Sequence, residues 1–151
     1  MARAERTYVD PSALLKLYIH EPASAAMSVW RGRTKGALPM TPYGRLEVVN
    51  GICLAVFRKI ITLEASSDAL ASLDEDLAEG RYVEADVLWR ATLRRAVELS
   101  RRQTPALGCR VLDVLHVATA LELGLRDFVT FDGRQRQLAK AAGLKPVTPS
   151  I

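Results

Sequence analysis

Four acidic residues stand where a carboxylate needs a reason. Asp10 ends the run "TYVD" and Asp132 ends "VTFD"; both runs favour β structure, and each is followed by a stretch with helical spacing. Glu47 and Asp113 lie in "RLEVVNGI" and "VLDVLHVA", where almost every neighbour is apolar. Moving a lone carboxylate out of water is unfavourable by several kcal/mol, so these acids require a cation or hydrogen bonds. Taken singly, each has a plain explanation. Asp10 or Asp132 caps the next helix, Asp113 is a first-turn acid favoured by the helix dipole, and Glu47 pairs with a Lys or Arg on an exposed side. Taken together they point to bound cations, because clustered carboxylates repel one another until a cation neutralises them. Oxygen donors without a His or Cys cluster select Mg²⁺ or Mn²⁺ over zinc. One or two such ions can activate water and neutralise charge developing on a phosphodiester.

For the acids to meet, the elements around them must bring strand ends and helix starts to one edge. "RTYVD" reads as a strand, "PSALLKLYIH" as a helix with proline in its first turn, and "EPASAAMSVWRGR" as a second helix ending near Gly32. "ALPM" is a brief strand candidate. "TPYGRLEVVNGICLAVFRK" has a Thr41 cap, Pro42 at N1 and apolar positions 46, 49, 53, 56 and 57, which predicts a long, largely buried helix. An amphipathic helix over "TLEASSDALASLDEDLAEG" is stopped by Gly80. "RYVEA" is a strand, and "DVLWRATLRRAVELSRR" is a helix capped by Asp86 and basic toward its end. "TPALGCR" is rich in breakers and reads as a loop. "VLDVLHVATALELG" is an apolar helix, "DFVTF" a strand, "DGRQRQLAKAAG" a helix and "KPVT" a last strand. Strands alternating with helices give a parallel α/β sandwich, in which ligands bind at the carboxyl ends of the strands. There Gly133 would let the chain turn tightly after Asp132.

Several neighbours of the acids are second-rank candidates. His116 follows Asp113 by three residues, so both share a helical face; it orients a phosphate, ligates water, or is a hydrogen-bonded histidine within a packed helix. Asn50 stands one turn from Glu47 and either orients that carboxylate or serves capping or packing. Arg134 and Arg136, with Lys16, Arg45 and Arg110, could contact substrate phosphate or simply be solvated. Trp30, Trp89, Tyr18 and Tyr43 could stack bases, though helical spacing suits core or interface.

The chain's 151 residues, 49% of them hydrophobic, suit one domain over 1–151 with a proper core. No stretch approaches the roughly 20 apolar residues of a membrane span, and "MARAERTYVD" has no apolar leader region, so no membrane association and a cytoplasmic location are expected. Cys53 and Cys109 lack C-x-x-C spacing and read as small packing residues. A net charge of +4 is compatible with a polyanionic partner.

"YVDPSALLKLYIHEP", "TPYGRLEVVN" and "VLDVLHVATALELGLRDFVTFDGRQRQLAKAAGLKPV", in that order, resemble the signature of the PIN domain, and of VapC-type ribonuclease toxins from toxin–antitoxin operons in particular. The resemblance runs over essentially the whole chain. It implies a PIN-like α/β sandwich with a central parallel sheet of about four or five strands flanked by helices. It also implies a Mg²⁺- or Mn²⁺-dependent endoribonuclease site, a homodimer and a small cognate antitoxin partner. The acidic quartet of that family matches Asp10, Glu47, Asp113 and Asp132. Its hydroxyl positions beside the first and last acids match Ser12 and Thr130. On this reading Asp10, Asp113 and Asp132 hold the metal most directly, Glu47 completes the cluster or positions the attacking water, and Ser12 and Thr130 orient carboxylates. Some relatives carry a further Asp or Asn shortly after the last acid; "DGRQRQ" has neither, so the ion count stays at one or two.

Two other classes remain open. A haloacid-dehalogenase-like phosphohydrolase also uses a strand-end Asp, but needs a second Asp where Ser12 stands. A non-catalytic module that binds RNA or a protein partner would keep the acids as structure.

Overall fold

A computed structural model describes residues 3–151; Met1 and Ala2, which belong to the stretch read for a leader and to the domain expectation, lie outside the described residues. After a single 3₁₀ turn at Ala4–Arg6, strand β1 (Thr7–Val9) leads directly into helix α1 (Pro11–Leu15). Proline opens α1 because its missing N–H is not needed in a first turn. Helix α2 (Ser24–Arg33), strand β2 (Leu38–Met40), helix α3 (Pro42–Phe57), helix α4 (Leu63–Ala78) and strand β3 (Tyr82–Glu84) follow. The second half comprises α5 (Trp89–Leu107), α6 (Val111–Glu122), β4 (Asp127–Val129), α7 (Gly133–Ala141) and β5 (Lys145–Val147).

All five strands pair in parallel, but not in one ladder. β1, β4 and β5 form a three-stranded sheet in that order, with Tyr8 opposite Phe128 and Phe128 opposite Pro146. β2 and β3 pair with each other beside it, joined to the β1 side by an Arg3–Lys35 bridge. Alternation along the central strands assigns the two faces. Val9 and Val129 enter a core with Leu14, Met27, Val48, Ile52 and Leu73 from α1 to α4. Tyr8 and Phe128 enter the other, with Val114, Val117 and Leu138 from α6 and α7. Burying each such side chain contributes about 1.5–3 kcal/mol, and both cores tie the sheet to the helices that begin at its carboxyl edge.

Five local expectations are corrected. Helix α3 is capped by Thr41 as expected, yet only one face is buried, through Gly44, Val48, Ile52 and Ala55, while Leu46, Cys53 and Phe57 are exposed. Cys53 is therefore no packing residue. Gly51 has a packing reason, since a Cβ there would stand 2.9 Å from Leu15 Cδ2 and hold α1 off α3. Asp86 does not cap α5: its carboxylate takes only the N–H of Val87, and the helix starts three residues later behind Leu88. The same helix runs through "TPAL" to a left-handed Gly108, with Pro105 inside it and one backbone donor lost there. Gly133 is an ordinary first helical residue with open space where a Cβ would go, so the turn after Asp132 does not depend on glycine.

Candidate active site

The four acids arrive at one cavity of about 310 Å³ from four elements. Asp10 follows β1 and is the N-cap of α1, accepting the N–H of Ser12 at 3.1 Å. Asp132 lies beyond β4 and is the N-cap of α7, accepting the N–H of Gln135 at 2.9 Å. Asp113 sits in the first turn of α6, and Glu47 projects from the second turn of α3. The capping explanation and the shared-site explanation are thus both true of Asp10 and Asp132. Helix N-termini also favour the negative charge gathered there. A larger cavity, about 640 Å³ beside Trp30, Lys35 and Thr148, contains none of these acids; chemistry, not volume, identifies the site.

Hydrogen bonds hold the carboxylates from behind. Ser12 Oγ donates a short bond to Asp10 Oδ2. Gln135, fully buried on α7, donates from Nε2 to Asp10 Oδ1 at 2.9 Å and accepts from Thr130 Oγ1 at 2.6 Å. Thr130 in turn accepts the N–H of Asp132 at 3.1 Å. Ser12 thus bonds Asp10 directly, and Thr130 reaches Asp10 through Gln135. Nothing in the charged, polar run "GRQRQ" singled out Gln135. The one signal was its place three residues after an N-capping Asp, the pattern of a capping box. Because Thr130 already takes the Asp132 N–H, the Gln135 side chain is free to reach Asp10.

His116 is buried and has both ring nitrogens engaged: Nδ1 lies 2.6 Å from the Tyr8 hydroxyl and Nε2 2.7 Å from Glu47 Oε1. This is the arrangement of a hydrogen-bonded histidine inside a packed helix. Burial, then the charges of Tyr43 and Asp10, push the Tyr8 phenol well above its ordinary range, so it stays protonated. A carboxylate only accepts, so the hydrogen on Nε2 is donated to Glu47. Asn50 is exposed and makes no side-chain hydrogen bond to Glu47 among the described residues, so it does not orient that carboxylate.

Arg110 crosses the mouth, with Nε 3.1 Å from Asp113 Oδ2 and Nη2 3.5 Å from Asp132 Oδ2. Its hydrogen bond to Asp113, then that residue's charge, raise its pKa above the ordinary arginine range. Arg134 borders an adjoining cavity with Arg110, Asp132 and Gln137, whereas Arg136 lines neither cavity. Lys16 pairs with Glu21 and lies over the Phe131 ring, and Arg45 pairs with Asp74. Tyr18 bonds Asp76 and Tyr82, and Tyr43 bonds Thr119 while packing on Trp89. These two tyrosines are tied into the structure. Burial, then the charges of Asp113 and Asp132, raise the Cys109 thiol pKa, which disfavours a thiolate nucleophile.

Apart from His116, whose two ring nitrogens are both engaged, the metal-donor groups lining the cavity are oxygens, which fits a hard divalent cation better than zinc. Among the described residues, however, no three acids stand close enough to grip one ion as they are. Nor is any helix among them long and apolar enough to cross a membrane.

The PIN domain family matches residues 7–141, a span that contains all four acids. Ribonuclease VapC46 of Mycobacterium tuberculosis is 31% identical over 145 residues, covering 95% of this chain and 97% of that protein.

Proposed function

The chain belongs to the PIN-domain family as a VapC-type member, and from that premise we propose that it is a metal-dependent endoribonuclease, the toxin of a type II toxin–antitoxin pair. The observation that carries the reading is the convergence of Asp10, Glu47, Asp113 and Asp132 on one cavity. Asp10, Asp113 and Asp132 would hold Mg²⁺ or Mn²⁺. When bound, such an ion supplies positive charge that activates water and offsets charge developing on the phosphodiester. Ser12 and Gln135 fix the rotamer of Asp10 by donating to both its oxygens. His116 holds Glu47 through Oε1, leaving the second carboxylate oxygen to orient the attacking water and take its proton. The mouth is charged and open, as an RNA backbone requires. A cognate antitoxin would close it, and a homodimer is the expected assembly.

A dehalogenase-like reading requires Asp10 as a free nucleophile with a second Asp beside it; here Ser12 occupies that place and hydrogen-bonds the carboxylate. Asp10→Asn removes one charge at nearly constant volume. We expect a folded variant whose Mn²⁺-dependent cleavage of a fluorogenic RNA falls by about 10²–10³-fold. Cleavage at the wild-type rate by the purified variant would refute the assignment.

A further inference from the structure

We propose that Arg110 is exchanged between two anions: without a divalent ion its guanidinium serves as the cation of the acidic cavity, and ion binding releases it to the RNA backbone. The inference rests on the ribonuclease reading above.

Its first support is geometric. Arg110 bonds Asp113 and Asp132 at once, with different nitrogens. These acids come from the starts of α6 and α7, so the guanidinium stands between two of the three carboxylates expected to hold metal. No other arginine and no lysine among the described residues forms an ion pair with any of the four acids. The second support is that, among the described residues, no three acids are grouped closely enough to hold one ion. A cation held by Asp113 and Asp132 together competes with the arginine, because one carboxylate oxygen on each, Oδ2, is turned to it.

The third support concerns where the released side chain would go. The Arg110 side chain is 74% exposed, so its bonds are screened and readily exchanged. As the N-cap of α6 it has ordinary extended backbone angles, and side-chain rotation alone can carry the guanidinium away from the acids. It borders both the acidic cavity and the adjoining one of about 540 Å³, where Arg134 and Gln137 stand. There a guanidinium beside Arg134 forms a two-arginine cradle suited to phosphate oxygens. A strand of RNA laid across the mouth would meet it next to the cleavage site.

The exchange predicts two shifts of opposite sign, both read by equilibrium binding. Arg110→Gln removes the internal competitor, so calorimetric titration with Mn²⁺ alone should show about three- to tenfold tighter binding. The same variant should bind a 2′-O-methyl RNA oligonucleotide in Mn²⁺ more weakly, with the slope of log affinity against log salt reduced by about one. Arg110→Lys keeps the charge without the fork and should lie between wild type and Arg110→Gln in both titrations. If wild type binds Mn²⁺ but Arg110→Gln binds it no more tightly, the exchange is wrong while the ribonuclease reading stands. Unchanged oligonucleotide affinity would likewise overturn it. If wild type binds no Mn²⁺ at all, the metal-dependent reading falls, and this inference with it.

Discussion

Replacing Gln135 with methionine separates the amide of this side chain from its bulk. The native amide is wholly buried, donating to Asp10 Oδ1 at 2.9 Å and accepting from Thr130 Oγ1 at 2.6 Å. Methionine fills a similar volume and makes neither bond. Losing a hydrogen bond to a charged acceptor removes about 1.5–3 kcal/mol, and leaving the buried Thr130 hydroxyl without an acceptor adds about 1–3 kcal/mol. The terms do not simply add, because Asp10 keeps the N–H and hydroxyl of Ser12; about 2–4 kcal/mol in total is expected. For a chain of this length that lowers the melting temperature by about 4–16 °C. Urea denaturation in chelator gives the first number. Calorimetric titration of the folded variant gives the second, where an Asp10 freed to rotate should weaken Mn²⁺ binding by about 10–100-fold. Leu138→Ala is the control: it lies on the same helix, is equally buried, and faces the core of Tyr8 and Phe128. It should cost about 2–5 kcal/mol and leave the Mn²⁺ affinity of the folded protein alone. A Gln135→Met protein within about 0.5 kcal/mol of wild type, or one with full Mn²⁺ affinity, would refute the reasoning.

Two further outcomes follow from the buried hydroxyls. Tyr8→Phe keeps the ring stacked on Phe128 and removes the hydroxyl that fixes His116; kcat for RNA cleavage should fall by about tenfold with KM unchanged, and a change confined to KM would instead place this chain of residues in substrate binding. Burial raises the phenols of Tyr8, Tyr18 and Tyr82 above their ordinary value, so the native state holds these protons more tightly than the unfolded chain. Their contribution is complete below about pH 10 and is lost as pH rises further. Melting curves from pH 8 to 11 should therefore show a steep alkaline loss that is shallower in Tyr8→Phe; parallel slopes for the two proteins would count against the buried-phenol account.

What could be read from the sequence, and what could not, divides along a physical line. The strand and helix order was legible because caps and breakers are local: Thr41 before Pro42 and Gly80 behind α4 act within one turn. The buried face of α3 was not, because "RLEVVNGICLAVF" is apolar almost all round and its period cannot say which side meets the sheet. Leu46 and Phe57 end up 66% and 83% exposed. Nor could strands of three residues reveal that the sheet divides between β1 and β2. At the site, the acids were legible because a carboxylate among apolar residues, or at a strand end, contradicts its surroundings. Gln135 contradicts nothing in "GRQRQ", and Tyr8 contradicts nothing in "RTYVD". Their roles arise from partners far away in the chain: Gln135 with Asp10 at a separation of 125 residues, Tyr8 with His116 at 108. A residue that departs from its local pattern announces itself, whereas one that satisfies its local pattern and a distant need at once is visible only when the fold brings that need beside it. In this site the first kind are the acids that would bind and react, and the second kind hold those acids still.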